Sequence, residues 1–140
     1  MIILDTKVVS EPIKSQPDEA VLRWLDEQDV NEVAITSVTA AELFYGVERL
    51  PLGRRRAELQ EWLDYTLTTE LNDKVVPFCF GCAKRYAELA AKTEQQGLTV
   101  STADLQIAST CLCAGASLAT RNVRHFTHTG VDLVNPWEYL

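Results

Sequence analysis

The chain has 140 residues, 46% of them hydrophobic, which suits one globular domain over residues 1–140 with a sizeable buried core. Its 20 acidic and 13 basic residues give a formal net charge of −7. That charge favours solubility and disfavours non-specific binding to a polyanion, so composition gives no reason to expect a nucleic-acid partner.

The sequence has no secretory signal pattern, and no apolar run approaches the roughly 20 residues that a membrane helix needs. We therefore expect a cytoplasmic protein with no membrane partner and with reduced thiols. Its four cysteines form a C-x-x-C pair, Cys79 and Cys82, and a C-x-C pair, Cys111 and Cys113. A zinc site is one interpretation. Residues two apart on a helix point to different faces, however, so small buried thiols are the favoured interpretation.

The segment from Met1 to Lys7 begins with a short apolar run and continues into Asp5 and Thr6. Consecutive isoleucines favour a buried strand, and such a strand would deliver Asp5 to its open end. The alternative is that Asp5 only caps the turn that follows, which is the commoner role of an isolated aspartate. Convergence with other carboxylates would favour the functional interpretation.

The rest of the chain alternates between helical and extended patterns. The predicted helices cover Pro17–Gln28, a segment from Ser37 to Val47, Arg54–Leu71, Gly81–Gln96, and a segment opened by Ser101 or Thr102 and ended by Gly115. The predicted later strands are Val33–Thr36, Val75–Phe78, Ser117–Thr120 and Val131–Val134. This alternation predicts an α/β fold, with a mainly parallel sheet and helices on both of its faces.

Two further acids lie near helix starts, and each has a structural explanation. Glu42 fits a capping box with Thr39, in which the glutamate binds the cap's own amide. If Ser37 is the cap instead, Glu42 is free to point outward, and the local sequence does not decide between the two. Asp104 in a first helical turn is explained by interaction with the helix dipole, worth roughly 0.3–1 kcal/mol.

Asp5, Glu42, Asp104 and Asn122 each lie at or just after the predicted carboxyl end of a strand or at a helix start. In an open parallel sheet those ends form the functional groove. Carboxylates within about 4 Å repel by about 4 kcal/mol at an effective dielectric of ~20, so a cluster of them needs a cation. Oxygen ligands favour Mg²⁺ or Mn²⁺, and such an ion supports phosphodiester hydrolysis.

Four segments carry a resemblance to a known family. They are Ile3–Thr6, Ala40–Gly46, Ala103–Ala108 and Ala119–Arg124. In this order, over Ile2 to Trp137, they resemble the signature segments of PIN-domain proteins, specifically VapC-like toxins. The resemblance implies a PIN-like three-layer α/β/α domain. It also implies a magnesium-dependent endoribonuclease of a type II toxin–antitoxin pair, forming a homodimer and silenced by a cognate antitoxin.

The resemblance also assigns roles to individual residues. The positions matching Asp5 and Asp104 bind Mg²⁺ or Mn²⁺, Glu42 completes the acidic site, and the segment around Asn122 supplies a fourth polar group. Local cations would contact the RNA substrate, with an affinity that falls as salt rises. The candidates are Arg54, Arg55, Arg56, Arg121 and Arg124. For the run at Arg54–Arg56, a solvated helix face is the commoner explanation.

The chain departs from the family pattern at two positions. Lys7 stands where the family has an asparagine, and residues two apart on a strand share a face, so the ammonium would reach Asp5 and weaken metal binding. If the chain has already turned, Lys7 lies in solvent instead. His125 stands where related toxins carry an acid. It and His128 are either proton relays or solvated loop residues.

Three functions follow from these residues. The leading one is a metal-dependent ribonuclease, with Thr6 and Lys7 beside its site. The alternative is a catalytically weakened PIN domain, with Lys7 in place of the metal, that binds RNA or an antitoxin. A receiver domain phosphorylated at Asp5 is the third and is disfavoured, because a receiver presents its acceptor later in the chain.

Overall fold

A computed structural model describes all residues, 1–140, and consists of a parallel sheet between helices. The strands are β1 (Ile2–Leu4), β2 (Val33–Thr36), β3 (Val75–Val76), β4 (Ser117–Ala119) and β5 (Leu133–Val134). The helices are α1 (Thr6–Ser10), α2 (Glu19–Asp26), α3 (Ser37–Glu48), α4 (Arg54–Tyr65), α5 (Phe80–Gln95) and α6 (Thr102–Ala114). Short 3₁₀ turns cover Glu11–Ile13, Val30–Glu32, Val123–His125 and Pro136–Glu138, and a π-helical segment, Thr66–Glu70, extends α4.

The five strands are all parallel and run in the order β3-β2-β1-β4-β5. β1 is central, with Ile3 opposite Ala34 of β2 and Leu118 of β4. The carboxyl ends of β1 and β4 therefore lie side by side. This places Asp5 next to the residues that follow Ala119, as the α/β prediction required.

Side chains of the central strands alternate between two hydrophobic clusters, one on each face of the sheet. Leu4, Ile35 and Ala119 pack in one cluster with α1, α2, α3 and α4. Ile3, Ala34 and Leu118 pack in the other with α5 and α6. Helices thus cover both faces, and the predicted three-layer α/β/α architecture is confirmed.

Most predicted elements form, with shifted ends. Asp18 caps α2 by accepting a hydrogen bond from the Ala20 amide at 2.8 Å, and Ser101 caps α6. Gly115 ends α6 in the left-handed conformation, with φ of 63°. The third strand is shorter than predicted because pairing stops before Pro77, which has no amide hydrogen to donate. None of the helices combines the length and the apolar character that a membrane span requires.

One prediction at the start of the chain is wrong, and the helix predicted from Arg54 forms with a change of helix type. The chain does not continue as an extended strand past Asp5 but turns at once into α1, a helix that the sequence pattern did not predict. The helix predicted over Arg54–Leu71 ends as an α-helix at Tyr65 and continues as the π segment. Leu63 and Leu67 both remain buried across that change.

Candidate active site

Asp5 lies at the junction between β1 and α1, and the residue is 6% exposed. The Thr6 amide donates to Oδ1 at 2.8 Å, and the Thr120 hydroxyl donates to Oδ2 at 2.7 Å. Burial raises the pKa of Asp5, and the nearby Asp104 charge raises it further, while the bonds from Thr120 and Thr6 act in the opposite direction. Asp5 is thus both the cap of α1 and a buried carboxylate that binds Thr120, the residue after β4.

Thr6, the residue after Asp5, connects Glu42 to the same junction. The Thr6 hydroxyl donates to Glu42 Oε1 at 2.8 Å, so one threonine contacts Asp5 with its amide and Glu42 with its side chain. Both predicted caps for α3 are wrong: Thr36 is the cap, and its hydroxyl accepts from the Thr39 amide at 3.0 Å. Glu42 therefore lies in the second turn, clear of the helix start, and is exposed.

Asp104 occupies the first turn of α6 and points toward the loop after β4. Its own amide donates to Ser101 Oγ at 3.1 Å, whereas its carboxylate oxygen Oδ2 lies 3.2 Å from His125 Nδ1. The side chain does more than complement the helix dipole, because it connects α6 to the 3₁₀ turn that carries His125. We call Asp5, Glu42 and Asp104 together the acidic rim. His125, which is half exposed, connects the loop after β4 to this rim through Asp104.

The rim suits a hard cation that keeps water ligands. No three Asp, Glu, His or Cys side chains converge closely enough to form a complete ion cage. Asp104 nevertheless lies close enough to Asp5 for its charge to raise the pKa of Asp5. Glu42 adds a third carboxylate through Thr6. One to three carboxylates, with waters completing the shell, form the donor set that Mg²⁺ uses, so the chemistry of these residues suits this ion.

Lys7 does not occupy the cation position. The prediction that it shares a strand face with Asp5 is wrong, because residues 6–10 are helical and Lys7 is exposed in α1. It forms no ion pair with Asp5. Its charge lowers the pKa of Asp5, but this is the weakest of the five effects on that group.

A basic groove of about 340 Å³ adjoins the Asp104–His125 contact. Its lining includes Arg121, Asn122, Arg124 and His125. The Arg121 guanidinium lies 5.2 Å from the centre of the Trp137 ring, which holds it in place by a cation–π contact. Asn122 reaches the rim through its backbone, since its amide donates to the Thr120 hydroxyl at 3.1 Å.

A family model and two relatives identify the family of this chain. The family model described as "PIN domain" matches residues 2–131. The chain belongs to the PIN-domain family. The VapC ribonuclease Y4jK of Sinorhizobium fredii is 38% identical to it, with 99% of each chain covered. The toxin FitB of Neisseria gonorrhoeae is 34% identical, covering 98% of this chain and 99% of the relative.

The fold of this PIN domain is also that of a solved structure. The crystal structure of FitAcB from Neisseria gonorrhoeae superposes with a TM-score of 0.92 at 34% sequence identity, covering 99% of each chain. The resemblance to VapC-like toxins inferred from four sequence segments is therefore confirmed over nearly the whole chain.

The arginines of α4 predicted to contact RNA, and His128, lie apart from the rim of this PIN domain. Arg54 pairs with Glu58 at 3.0 Å and Arg56 with Glu48 at 2.8 Å, while Arg55 is exposed. His128 is no proton relay at the rim, because its Nε2 lies 2.8 Å from the Thr93 hydroxyl on α5. Burial lowers the pKa of His128, and the Lys92 charge adds to this.

Sequence reasoning missed the two threonines that organise the rim. Thr120 follows β4 directly, and its position beside the end of β1 was the available signal. Thr6 was predicted only as a neighbour of the site. Its hydroxyl contact with Glu42 depends on α1, which was not predicted.

A separate cavity of about 350 Å³ lies under α2 and the π segment. It is mostly apolar, and the buried Thr66 hydroxyl, which has no hydrogen-bond partner, is among its lining residues. None of the rim carboxylates lines it, so it takes no part in the acidic site.

Proposed function

We propose that this PIN domain is a magnesium-dependent endoribonuclease and the toxin of a type II toxin–antitoxin pair. One observation carries the proposal: in a chain related to a VapC ribonuclease and a FitB toxin, three segments far apart in sequence bring Asp5, Glu42 and Asp104 to one rim. Asp5 is buried there without a cation of the protein paired to it. Such a charge is costly unless a ligand uses it.

Asp5 and Asp104 are the residues we propose to hold Mg²⁺ or Mn²⁺, and Glu42 contributes to its coordination or to that of its waters. The bound ion would polarise the scissile phosphate and supply an activated water. The protein's own part is positional. Thr120 and the Thr6 amide fix both oxygens of Asp5, and the Thr6 hydroxyl keeps Glu42 beside it.

RNA would enter along the basic groove beside Asp104. The net charge of −7 repels a polyanion, so binding depends on cations placed next to the rim. Arg121 and Arg124 are there, and Asn122 lines the same groove. Arg54 and Arg56 are already paired with glutamates, which makes them weaker candidates.

We also propose a cognate antitoxin, in keeping with the toxin–antitoxin relatives, and a homodimer, which the resemblance to VapC-like toxins implies. Asp5, which forms no ion pair with a cation of the protein, offers a site for a basic residue of the antitoxin, which would compete with metal and substrate. Light scattering on the purified chain tests the homodimer, with a monomer at micromolar concentration as the contrary result.

A cleavage assay on the full-length chain with end-labelled RNA tests the catalytic proposal. We expect cleavage with Mg²⁺ or Mn²⁺, none with EDTA, and at least a 100-fold loss in Asp5→Asn and Asp104→Asn. The matched control is Glu61→Gln, an exposed carboxylate on α4, which should cleave as the wild type does. Cleavage that survives both aspartate changes would refute the proposal.

Calorimetric titration with Mn²⁺ separates the enzyme from a binding module of the same fold. The enzyme should bind the ion, and Asp104→Asn should weaken that binding. A module in which Lys7 replaces the metal would bind none until Lys7→Asn is introduced. The exposed position of Lys7 favours the enzyme.

A further inference from the structure

Three of the four thiols meet at the packed ends of α5 and α6, apart from every contact described for the acidic rim. Cys79 immediately precedes α5 and Cys82 lies in its first turn, with 3.6 Å between the two sulfurs. Cys113 comes from the last turn of α6 and lies near enough to contribute to the raised pKa of Cys82. The C-x-x-C motif that the sequence offered as half of a zinc site is thus a pair of neighbouring thiols.

The two thiols of this pair differ in environment. Cys79 is exposed at the amino end of a 16-residue helix, whereas Cys82 is 1% exposed. Contacts from the backbone amide and thiol of Cys82, and then from the amide of Gly81, hold the pKa of Cys79 below its usual value. Burial raises the pKa of Cys82. An accessible thiol with a lowered pKa beside a buried thiol with a raised one is the arrangement of an attacking and a resolving cysteine.

We propose that Cys79 and Cys82 form a redox-active dithiol, which takes a low-molecular-weight disulfide such as oxidised glutathione as its oxidant and closes into a reversible disulfide. Disulfide formation would bring the two sulfurs from 3.6 Å to bonding distance, about 2.05 Å. Cys79 is an exposed residue at the amino end of the helix, where a small disulfide can reach it.

The reaction proceeds in two exchanges. The Cys79 thiolate attacks one sulfur of the oxidant, forming a mixed disulfide and releasing the first thiolate, which takes up the proton that Cys79 gave to solvent. The Cys82 thiol then loses its proton and attacks the Cys79 sulfur, releasing the second thiol. Two protein thiols are oxidised, and one external disulfide is reduced to two thiols.

The remaining cysteines have other environments. Burial raises the pKa of Cys111 to about 12, so it stays a thiol inside the core. Cys113 is exposed but lies on another helix. A Cβ built on Gly81 would be 3.8 Å from the Cys79 sulfur and 3.9 Å from that of Cys113, so Gly81 lies between them.

Oxidation of the full-length chain with glutathione disulfide tests the proposal. Free thiols are blocked with N-ethylmaleimide after an acid quench, and peptides are mapped by mass spectrometry. We expect one Cys79–Cys82 disulfide, reversed by dithiothreitol, and unmodified Cys111. Cys82→Ala should trap glutathione on Cys79, while the matched control Cys113→Ser should form the disulfide as the wild type does.

Three results would overturn the proposal. One is a glutathione adduct that persists on Cys79 in the wild type, and another is a disulfide joining Cys82 to Cys113. The third is a Cys79 that reacts no faster with glutathione disulfide than Cys113. Asp5→Asn should give the wild-type disulfide map, so failure of the ribonuclease proposal would leave this result standing.

Discussion

The acidic rim and the arginine run at the start of α4 both concentrate charges of one sign, but the fold treats them differently. In α4, Arg54 and Arg56 each pair with a glutamate within 3.0 Å. At the rim, Asp5 is buried with hydrogen bonds but no ion pair, and the Asp104 charge raises its pKa.

This difference separates a structural charge cluster from a functional one. Exposed ion pairs such as those of α4 contribute about 0–1 kcal/mol and need no ligand. Like charges held together in a partly buried site lower stability, and a fold retains them where a ligand or a reaction uses them. The comparison therefore predicts large functional effects at the rim and small ones at α4.

Thr6→Val should give the largest effect among changes that leave the carboxylates in place. It keeps the shape of the side chain and removes the hydroxyl that holds Glu42 at 2.8 Å. Loss of a group that orients a metal ligand typically costs 10–100-fold in activity, so we expect kcat/KM for RNA to fall by about that factor. Cleavage assays at saturating Mn²⁺ measure it.

Thr6→Ser and Thr68→Val are the controls for that change. Thr6→Ser keeps a hydroxyl and should therefore retain most of the wild-type activity. Thr68 in the π segment donates to the Asp64 carbonyl of α4 and contacts no rim residue through its hydroxyl, so Thr68→Val should leave cleavage unchanged. Equal activity of wild type and Thr6→Val would mean that Glu42 needs no positioning.

Much of the fold was predictable because its signals are local, whereas the organisation of the rim was not. Strand patterns, the Ser101 cap and the terminating Gly115 lie within a few residues of the structures they determine. The helix α1 has only five residues and too short a pattern to be recognised. Without it, Lys7 was assigned to the wrong environment and the Thr6–Glu42 contact could not be foreseen.

Removing two cations from the basic groove should have the next largest effect. With Asp104→Asn present to prevent cleavage, Arg121→Ala with Arg124→Ala should lower the slope of log affinity for RNA against log salt, by about 0.7 for each lost phosphate contact. The matched pair Arg54→Ala with Arg56→Ala removes equal charge where glutamates already neutralise it. A larger change in that slope from the Arg54 and Arg56 variant would mean that RNA contacts α4 and not the basic groove.

Lys7→Asn should produce a smaller effect, on metal affinity. The Lys7 charge lowers the pKa of Asp5 and thus acts on the site, but the side chain lies in solvent. An exposed charge at short range contributes about 1 kcal/mol or less, and salt screens it. We expect Mn²⁺ to bind a few-fold more tightly at low ionic strength. Lys84→Asn on α5 is the control, and an unchanged affinity at low salt would contradict the expectation.

The smallest expected effect is on stability, in Asp5→Asn without metal. Because burial raises the pKa of Asp5 in the folded chain, the folded state binds a proton more readily than the unfolded state between the ordinary and the raised value. Wild-type stability therefore falls as pH rises through that window and stays lower above it. Asparagine keeps the acceptor for the Thr6 amide and carries no charge.

Thermal melts in EDTA should accordingly show Asp5→Asn unfolding a few degrees above the wild type at pH 7. This difference in melting temperature should narrow as pH falls toward the ordinary pKa of an aspartate, because the wild-type carboxyl is then protonated. Glu42→Gln, an exposed carboxyl of the same rim, should show no comparable gap. A wild type more stable than Asp5→Asn at pH 7 would mean that the hydrogen bonds of Asp5 outweigh its burial, and the contrast with α4 would lose its energetic basis.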